Sequence, residues 1–356
     1  MENKDNQSYE GSGSCRYSAQ HIREERMKTQ REVNVEIFKE FLDKYSPIDI
    51  EKMLGERVLG QEELVKEVSI FLYYHALRVV HPSLPMRPLL IMGPTGSGKT
   101  EIMRIAKKLF PKIFHINIVD GSTITRAGWA GNNKVTSGFT HGVLNGGILV
   151  IDEFDKLSAP QFTQHGDNVG AQMQNELLKI LEGEGLNLRT RNPNEPVPFS
   201  IVLVGAFESI RRNKEKVKRK AVGFNQIVED VKRKTSAEEL IEYGVIPELM
   251  GRISAICETN ELNDDDYINI LRSPHSRVSY LINILSMYNS DFAYFVSVDA
   301  LKELIGISKE NGTGVRWVLG QIESKILEEI RTNGLKGFLS EEEDEVVIEW
   351  SDITSC

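Results

Sequence analysis

The 356-residue chain carries 43 Lys and Arg against 52 Asp and Glu, a formal net charge of -9, with 27% charged and 40% hydrophobic residues. That balance is ordinary for a globular protein and disfavours a uniformly basic nucleic-acid binder. Cys15, Cys257 and Cys356 stand far apart with no Cys-x-x-Cys pair, so neither a zinc site nor a disulfide framework is indicated. There is no apolar leader at the start and no apolar run of membrane-spanning length. The expectation is a soluble cytoplasmic protein without membrane contact, long enough for two or more compact units.

Residues 1–18 are polar and rich in Ser, Gly and Asn, the composition of a disordered segment. From Ala19 to Lys44 the pattern turns helical, with Val33, Ile37, Phe38, Phe41 and Leu42 on one face, until Pro47 interrupts it. A helix packed on the main domain is the expected role. Val58-Leu59-Gly60-Gln61 precedes a second helix over 62–79, and Pro82, Pro85 and Pro88 then break the chain.

Leu89-Leu90-Ile91-Met92 reads as a buried strand that opens into Gly93-Pro94-Thr95-Gly96-Ser97-Gly98-Lys99-Thr100. This is the G-x-x-x-x-G-K-[ST] pattern between a strand and a helix. Its glycines let backbone N–H groups turn inward around phosphate oxygens, and the following helix adds its positive dipole end. Lys99 has the length to reach β- and γ-phosphates, and the Thr100 hydroxyl suits Mg²⁺. The helix after the loop sets Ile102, Ile105, Ala106 and Leu109 on one face and closes at Pro111.

Phe114 to Val119 reads as the next strand, and 121–141 is polar and glycine-rich, with Trp129 between Gly128 and Gly131. Ile148-Leu149-Val150-Ile151 is another buried strand, ending in Asp152-Glu153. Carboxylates at the C-terminal end of such a strand sit where α/β sheets place ligands. Asp152 suits the Mg²⁺ shell, through water, and Glu153 suits the role of general base toward an attacking water. A helix over 171–181 and the strand Ile201-Val202-Leu203-Val204 follow. Strands alternating with helices argue an α/β fold with a parallel sheet of the phosphate-loop type. Arg211 to Lys220 is a basic run whose default reading is a solvated insert, with nucleic-acid contact as the alternative. Glu341 to Glu345 reads as a solvated loop, and Val346 to Trp350 as a terminal strand.

Several separated motifs agree with one family. From Ile48 to Ile348 the chain resembles the ClpX family of AAA+ protein unfoldases. Val58 and Leu59 fall in that family's adenine-side motif, Gly93 to Thr100 in its phosphate loop, and Asp152-Glu153 in its hydrolysis motif. Val204-Gly205-Ala206-Phe207 matches the end of its next strand. Tyr243 to Arg252 matches the segment with its arginine finger, and Gly314-Val315-Arg316 its second sensor arginine. The resemblance implies a large AAA+ domain over 48–256, a small, mostly helical domain over 257–356 with a terminal strand, and an N-terminal extension over 1–47. It also implies ATP and Mg²⁺ as ligands, a homohexameric ring, and Arg252 acting across a subunit boundary while Arg316 acts in cis.

Further implications concern substrate. Trp129 and Ala130 replace the family's Tyr-Val pair that grips polypeptide in the pore, and residues 161–170 match a second pore loop. Val222, Gly223 and Phe224 match the aliphatic-Gly-Phe tripeptide that docks a ClpP-type peptidase. The four-cysteine zinc domain of the family has no counterpart here, so no zinc is expected, and Val204 is apolar where many AAA+ proteins carry a polar sensor. The implied activity is ATP hydrolysis coupled to unfolding of protein substrates, with delivery to a peptidase. The alternatives are a protease-independent chaperone and a nucleic-acid-acting AAA+ ATPase of helicase or loader type.

Overall fold

Strands read as unbroken apolar runs when both faces of their sheet are covered, and three runs in this chain are of that kind. In the computed structural model they form β1 (Leu89–Met92), β3 (Ile148–Asp152) and β4 (Ser200–Gly205), joined by β2 (Ile116–Asp120) and β5 (Ala255–Glu258). The structure describes residues 32–123, 138–160, 168–182, 198–213, 234–288, 295–296, 298–334 and 347–348. The five strands run parallel in the order β2-β3-β4-β1-β5. β1 is therefore flanked by β4 and β5, and its C-terminal end opens in the middle of the sheet.

Alternate residues of each strand feed two cores. Leu89, Ile91, Ile148, Val150, Val202 and Val204 face one side. There they meet the helix over residues 32–44 (α1), α2 (Pro47–Gly55), α3 (Glu62–Val80) and α4 (Glu101–Leu109). Leu90, Met92, Leu149, Ile151, Ile201 and Leu203 face the other side. They pack on α5 (His141–Leu144), α6 (Phe154–Ser158), α7 (Val169–Leu181), the short helix over residues 208–213 (α8), α9 (Ala237–Tyr243) and α10 (Pro247–Met250). The result is the α/β sheet with helices on both faces that the pattern predicts.

The amphipathic reading of the N-terminal helix holds over its described part. Phe38 and Phe41 are buried and form edge-to-face and tilted pairs with Phe110 and Phe114. Each such aromatic contributes about 1.5–3 kcal/mol by burial, so α1 is part of the large domain's core. Val33, expected on the same face, is half exposed. Pro47 does not merely interrupt. It begins α2, capped by Ser46, whose hydroxyl accepts from Asp49 N while the Asp49 carboxylate accepts from Ser46 N.

His75 pins α3 to the sheet. Its ring contacts the Ser200 hydroxyl (2.8 Å) and the Gly146 carbonyl (3.1 Å), and full burial pushes its pKa down to about 3. The imidazole is therefore neutral throughout the working pH range.

A third core gathers Tyr267, Leu271, Leu304, Ile305, Val318, Ile322 and Ile326. It belongs to α11 (Asp264–Arg272), α12 (Arg277–Tyr288), α13 (Val298–Asn311) and α14 (Val315–Asn333). Two short parallel strands, β6 (Phe295–Val296) and β7 (Val347–Ile348), pair with each other, so the terminal strand is present. β5 was not anticipated, and the boundary expected between 256 and 257 falls inside it. The chain leaves the sheet at Thr259. Among the described residues, no helix is long and apolar enough to cross a membrane.

Candidate nucleotide site

The strand order places two chain reversals side by side at the C-terminal edge of the sheet. β1 ends in the loop Gly93 to Thr100, and β3 ends in Asp152-Glu153, separated by β4 alone. Gly93, Gly96 and Gly98 take φ of 150°, 79° and 88°. Side-chain-bearing residues rarely adopt such values, which is why this loop needs glycine there. A Cβ at Gly93 would run into the Thr259 hydroxyl, and one at Gly96 would lie 3.0 Å from Gly314 Cα.

Lys99 curls back over the loop, donating to the Gly93 carbonyl (2.8 Å) and the Pro94 carbonyl (2.5 Å). Burial pushes its ammonium down to about 8, against the opposing pull of Asp152 and Asp155. Thr100 donates to Asp152 Oδ2 at 2.9 Å, so a hydroxyl and a carboxylate from the two reversals meet. This donor pair fits the hard, oxygen-preferring Mg²⁺ ion.

Glu153 has φ 56°, ψ 34°, a left-handed conformation rare for a residue with a side chain. Its N–H donates to Asp152 Oδ1 (3.0 Å), and its carboxylate accepts from Lys156 Nζ (2.7 Å). Strained backbone of this kind clusters at active sites, at about 1–3 kcal/mol per residue. Phe207, at the end of Val204-Gly205-Ala206-Phe207, is the other non-glycine residue with positive φ among the described residues. Its ring is fully buried and packs 4.9 Å from the Tyr243 ring. This contact ties the end of β4 to the segment bearing Arg252.

That segment has a second anchor that the sequence reading missed. Buried Gln174 on α7 donates to the Gly244 carbonyl (2.9 Å) and accepts from Ile246 N (2.9 Å). Arg252 itself is exposed and pairs with Glu182 Oε1 at 2.5 Å.

Two further elements close around the loop. Gly314 (φ 70°) leads into α14, and its Cα approaches so closely that a Cβ there would lie 2.6 Å from the Thr95 carbonyl oxygen. Arg316 stands in the first turn of that helix and is exposed. The linker from β5 to α11 forms the other side. Thr259 N donates to the Met92 carbonyl (2.8 Å), and its hydroxyl meets Ser97 Oγ at 2.7 Å. Asn260 exchanges two hydrogen bonds with Gln61, as donor from N–H (2.8 Å) and acceptor at its carbonyl (2.9 Å). Gly60 packs on Leu262 and Asp266. Val58, Leu59 and Gly60 also line a cavity of about 560 Å³ with Ile48, Gly55 and Val65, on the α2 side of the motif.

The structure thus brings together Gly93 to Thr100, Asp152, Glu153 and the start of α14. Trp129, Ala130, Val222, Gly223 and Phe224 lie outside the described residues, as do 161–167 and 214–220.

Comparison with known proteins matches residues 84–256 to the AAA domain family, Cdc48 subfamily. The chain is similar to the ATP-dependent Clp protease ATP-binding subunit ClpX of Treponema denticola, at 28% identity over 319 residues, covering 80% of this chain and 76% of that protein. It is similar to ClpX 2 of Wolinella succinogenes at 27% identity over 345 residues, covering 86% and 82%. ClpX of Borrelia duttonii matches at 28% over 328 residues, covering 80% and 74%.

Proposed function

We propose that this ClpX-like chain, built on an AAA domain, is an ATP-hydrolysing protein unfoldase that works as a homohexameric ring. The observation that supports the reading is the contact of Thr100 with Asp152, next to Glu153, at the end of a loop whose Thr95 and Gly96 touch Gly314 at the start of α14. A nucleotide held there touches both the sheet domain and the helical domain, so its state can change the angle between them.

The chemistry follows from the residues. Backbone N–H groups of Gly96 to Lys99 cradle the phosphates, and Lys99 exchanges two loop carbonyls for β- and γ-phosphate oxygens. Thr100 and Asp152 would hold Mg²⁺, Asp152 through water, and that ion supplies neutralisation of charge on the phosphate oxygens. Glu153 accepts the proton of the attacking water. For this it must leave Lys156, an exposed pair whose loss costs at most about 1 kcal/mol. Arg252 of a neighbouring copy stabilises charge that develops on the γ-phosphate. Its exposed pair with Glu182 is released at a similarly small cost. Arg316 reaches the phosphates in cis.

Domain motion is applied to substrate through Trp129 and Ala130, whose bulky ring pushes an unfolded chain without reading its sequence. Val222, Gly223 and Phe224 form an apolar plug for a ClpP-type peptidase. The test is ATP-dependent unfolding of a tagged fluorescent protein, with and without such a peptidase. Trp129→Ala is expected to keep ATPase activity and lose unfolding. Unfolding that proceeds normally in that variant would refute the pore assignment.

A further inference from the structure

Arg211 opens the basic run that no other motif absorbed, yet its side chain is only 23% exposed. It stands on the helical residues 208–213, which leave the sheet directly after β4. The end of β4 is joined to the phosphate loop, because Gly93 N donates to the Gly205 carbonyl at 3.3 Å. Glu208 and Arg211 lie one turn apart and share a helix face. The Lys99 ammonium feels both of their charges together with those of Asp152 and Asp155.

In the other direction, Arg211 Nη2 lies 3.4 Å from Glu261 Oε1. Glu261 belongs to the linker between β5 and α11. Three consecutive linker residues are thus tied to three different parts of the large domain. Thr259 holds the phosphate loop through Ser97, Asn260 holds Gln61, and Glu261 holds Arg211. The first two ties join neutral groups. The third is ionic, and it is the one for which an anion competes.

We propose that Arg211 reads the terminal phosphate of a bound nucleoside triphosphate, exchanging the Glu261 carboxylate for it and so releasing one of the three ties on the linker. The inference rests on the nucleotide-binding reading above. A guanidinium fork fits a carboxylate or a phosphate equally well in shape. Glu261 is 72% exposed, and a solvated carboxylate is a weak holder. A triphosphate offers more negative charge at a less solvated place. A diphosphate lacks the terminal group, and Arg211 stays with Glu261.

The test compares Mg²⁺-dependent binding of a fluorescent non-hydrolysable ATP analogue and of fluorescent ADP to the full chain. Arg211→Ala is expected to weaken the triphosphate about tenfold or more, the loss of one charge-assisted hydrogen bond. ADP affinity is expected to stay unchanged, and Arg211→Lys to recover part of the loss. Glu261→Gln removes the competitor, so triphosphate binding tightens while ADP binding does not. Equal weakening of both nucleotides by Arg211→Ala would make Arg211 a structural brace and overturn the proposal. Unchanged affinity for both would overturn it too. If Arg211→Ala fails to fold, Glu261→Gln decides alone: no tightening refutes the exchange. A wild-type chain that binds neither nucleotide refutes the underlying site, a distinct result from intact ADP binding with no role for Arg211.

Discussion

Gly314→Ala probes the joint between the two domains with a single methyl group. Gly314 has φ 70° and ψ -177°, a region that residues with a Cβ hardly enter. Placing Ala there costs about 1–3 kcal/mol in backbone strain alone. The added Cβ would also lie 2.6 Å from the Thr95 carbonyl oxygen and 3.0 Å from Gly96 Cα. Both are backbone atoms of the phosphate loop, so no side-chain rotation relieves the contact. Ordinary contact begins at 3.4 Å, and 3.4 minus 2.6 leaves 0.8 Å by which α14 must withdraw. Arg316, two residues on, moves with it. Val315 and Trp317, which pack on the third core, follow Gly314 directly, so a denaturant titration beside the ATPase assay separates lost stability from lost nucleotide binding. The expected outcome in a steady-state ATPase assay is a KM for ATP raised about tenfold, equivalent to roughly 1.4 kcal/mol of lost binding. Gly306→Ala is the matched control, because a Cβ there meets nothing within 4 Å in the interior of α13. It should stabilise the chain by about 0.5–1 kcal/mol in a denaturant titration and leave KM unchanged. A wild-type KM for Gly314→Ala would refute the claim that the start of α14 belongs to the nucleotide site.

Two further outcomes follow from the same geometry. Gln174→Ala strands the Gly244 carbonyl and the Ile246 N–H, at about 1–3 kcal/mol of stability; with the Arg252 segment loosened, kcat should fall while fluorescent-nucleotide affinity stays put. The pH dependence of binding is set by Lys99, whose folded pKa lies near 8. The protonated ammonium binds phosphate, so affinity is full below pH 8. Above it, affinity falls by up to about tenfold per pH unit, as each binding event must take up a proton. Isothermal titration in buffers of different ionisation enthalpy measures that uptake, and none at pH 9 would contradict the assignment.

The parts of the fold legible in the sequence were those governed by local pattern. β1, β3 and β4 announce themselves because both of their faces are covered, which leaves no polar alternation to confuse them. β5 escaped notice because Ala255-Ile256-Cys257-Glu258 is a short, partly exposed edge strand of mixed polarity. α2 was hidden by Pro47, which reads as a break unless the Ser46 cap before it is recognised. The loop Gly93 to Thr100 and the pair Asp152-Glu153 stand out in the sequence because glycine spacing and adjacent carboxylates are local patterns, and the structure sets them at the ends of β1 and β3. The pairing of Gln61 with Asn260 and the role of Gln174 could not be found that way. Both glutamine amides act through bonds spanning 199 and 70 positions, and a buried glutamine has no local signature. The left-handed turn at Glu153 is likewise imposed by its surroundings, not by residue type.

The central claim is that Glu153 drives turnover at a site built to hold ATP. Its most direct test is Glu153→Gln, with Mg·ATP binding and single-turnover hydrolysis measured on the same preparation. Binding within about twofold of wild type, with hydrolysis reduced at least about a hundredfold, is the predicted result. Hydrolysis at the wild-type rate in that variant would contradict it.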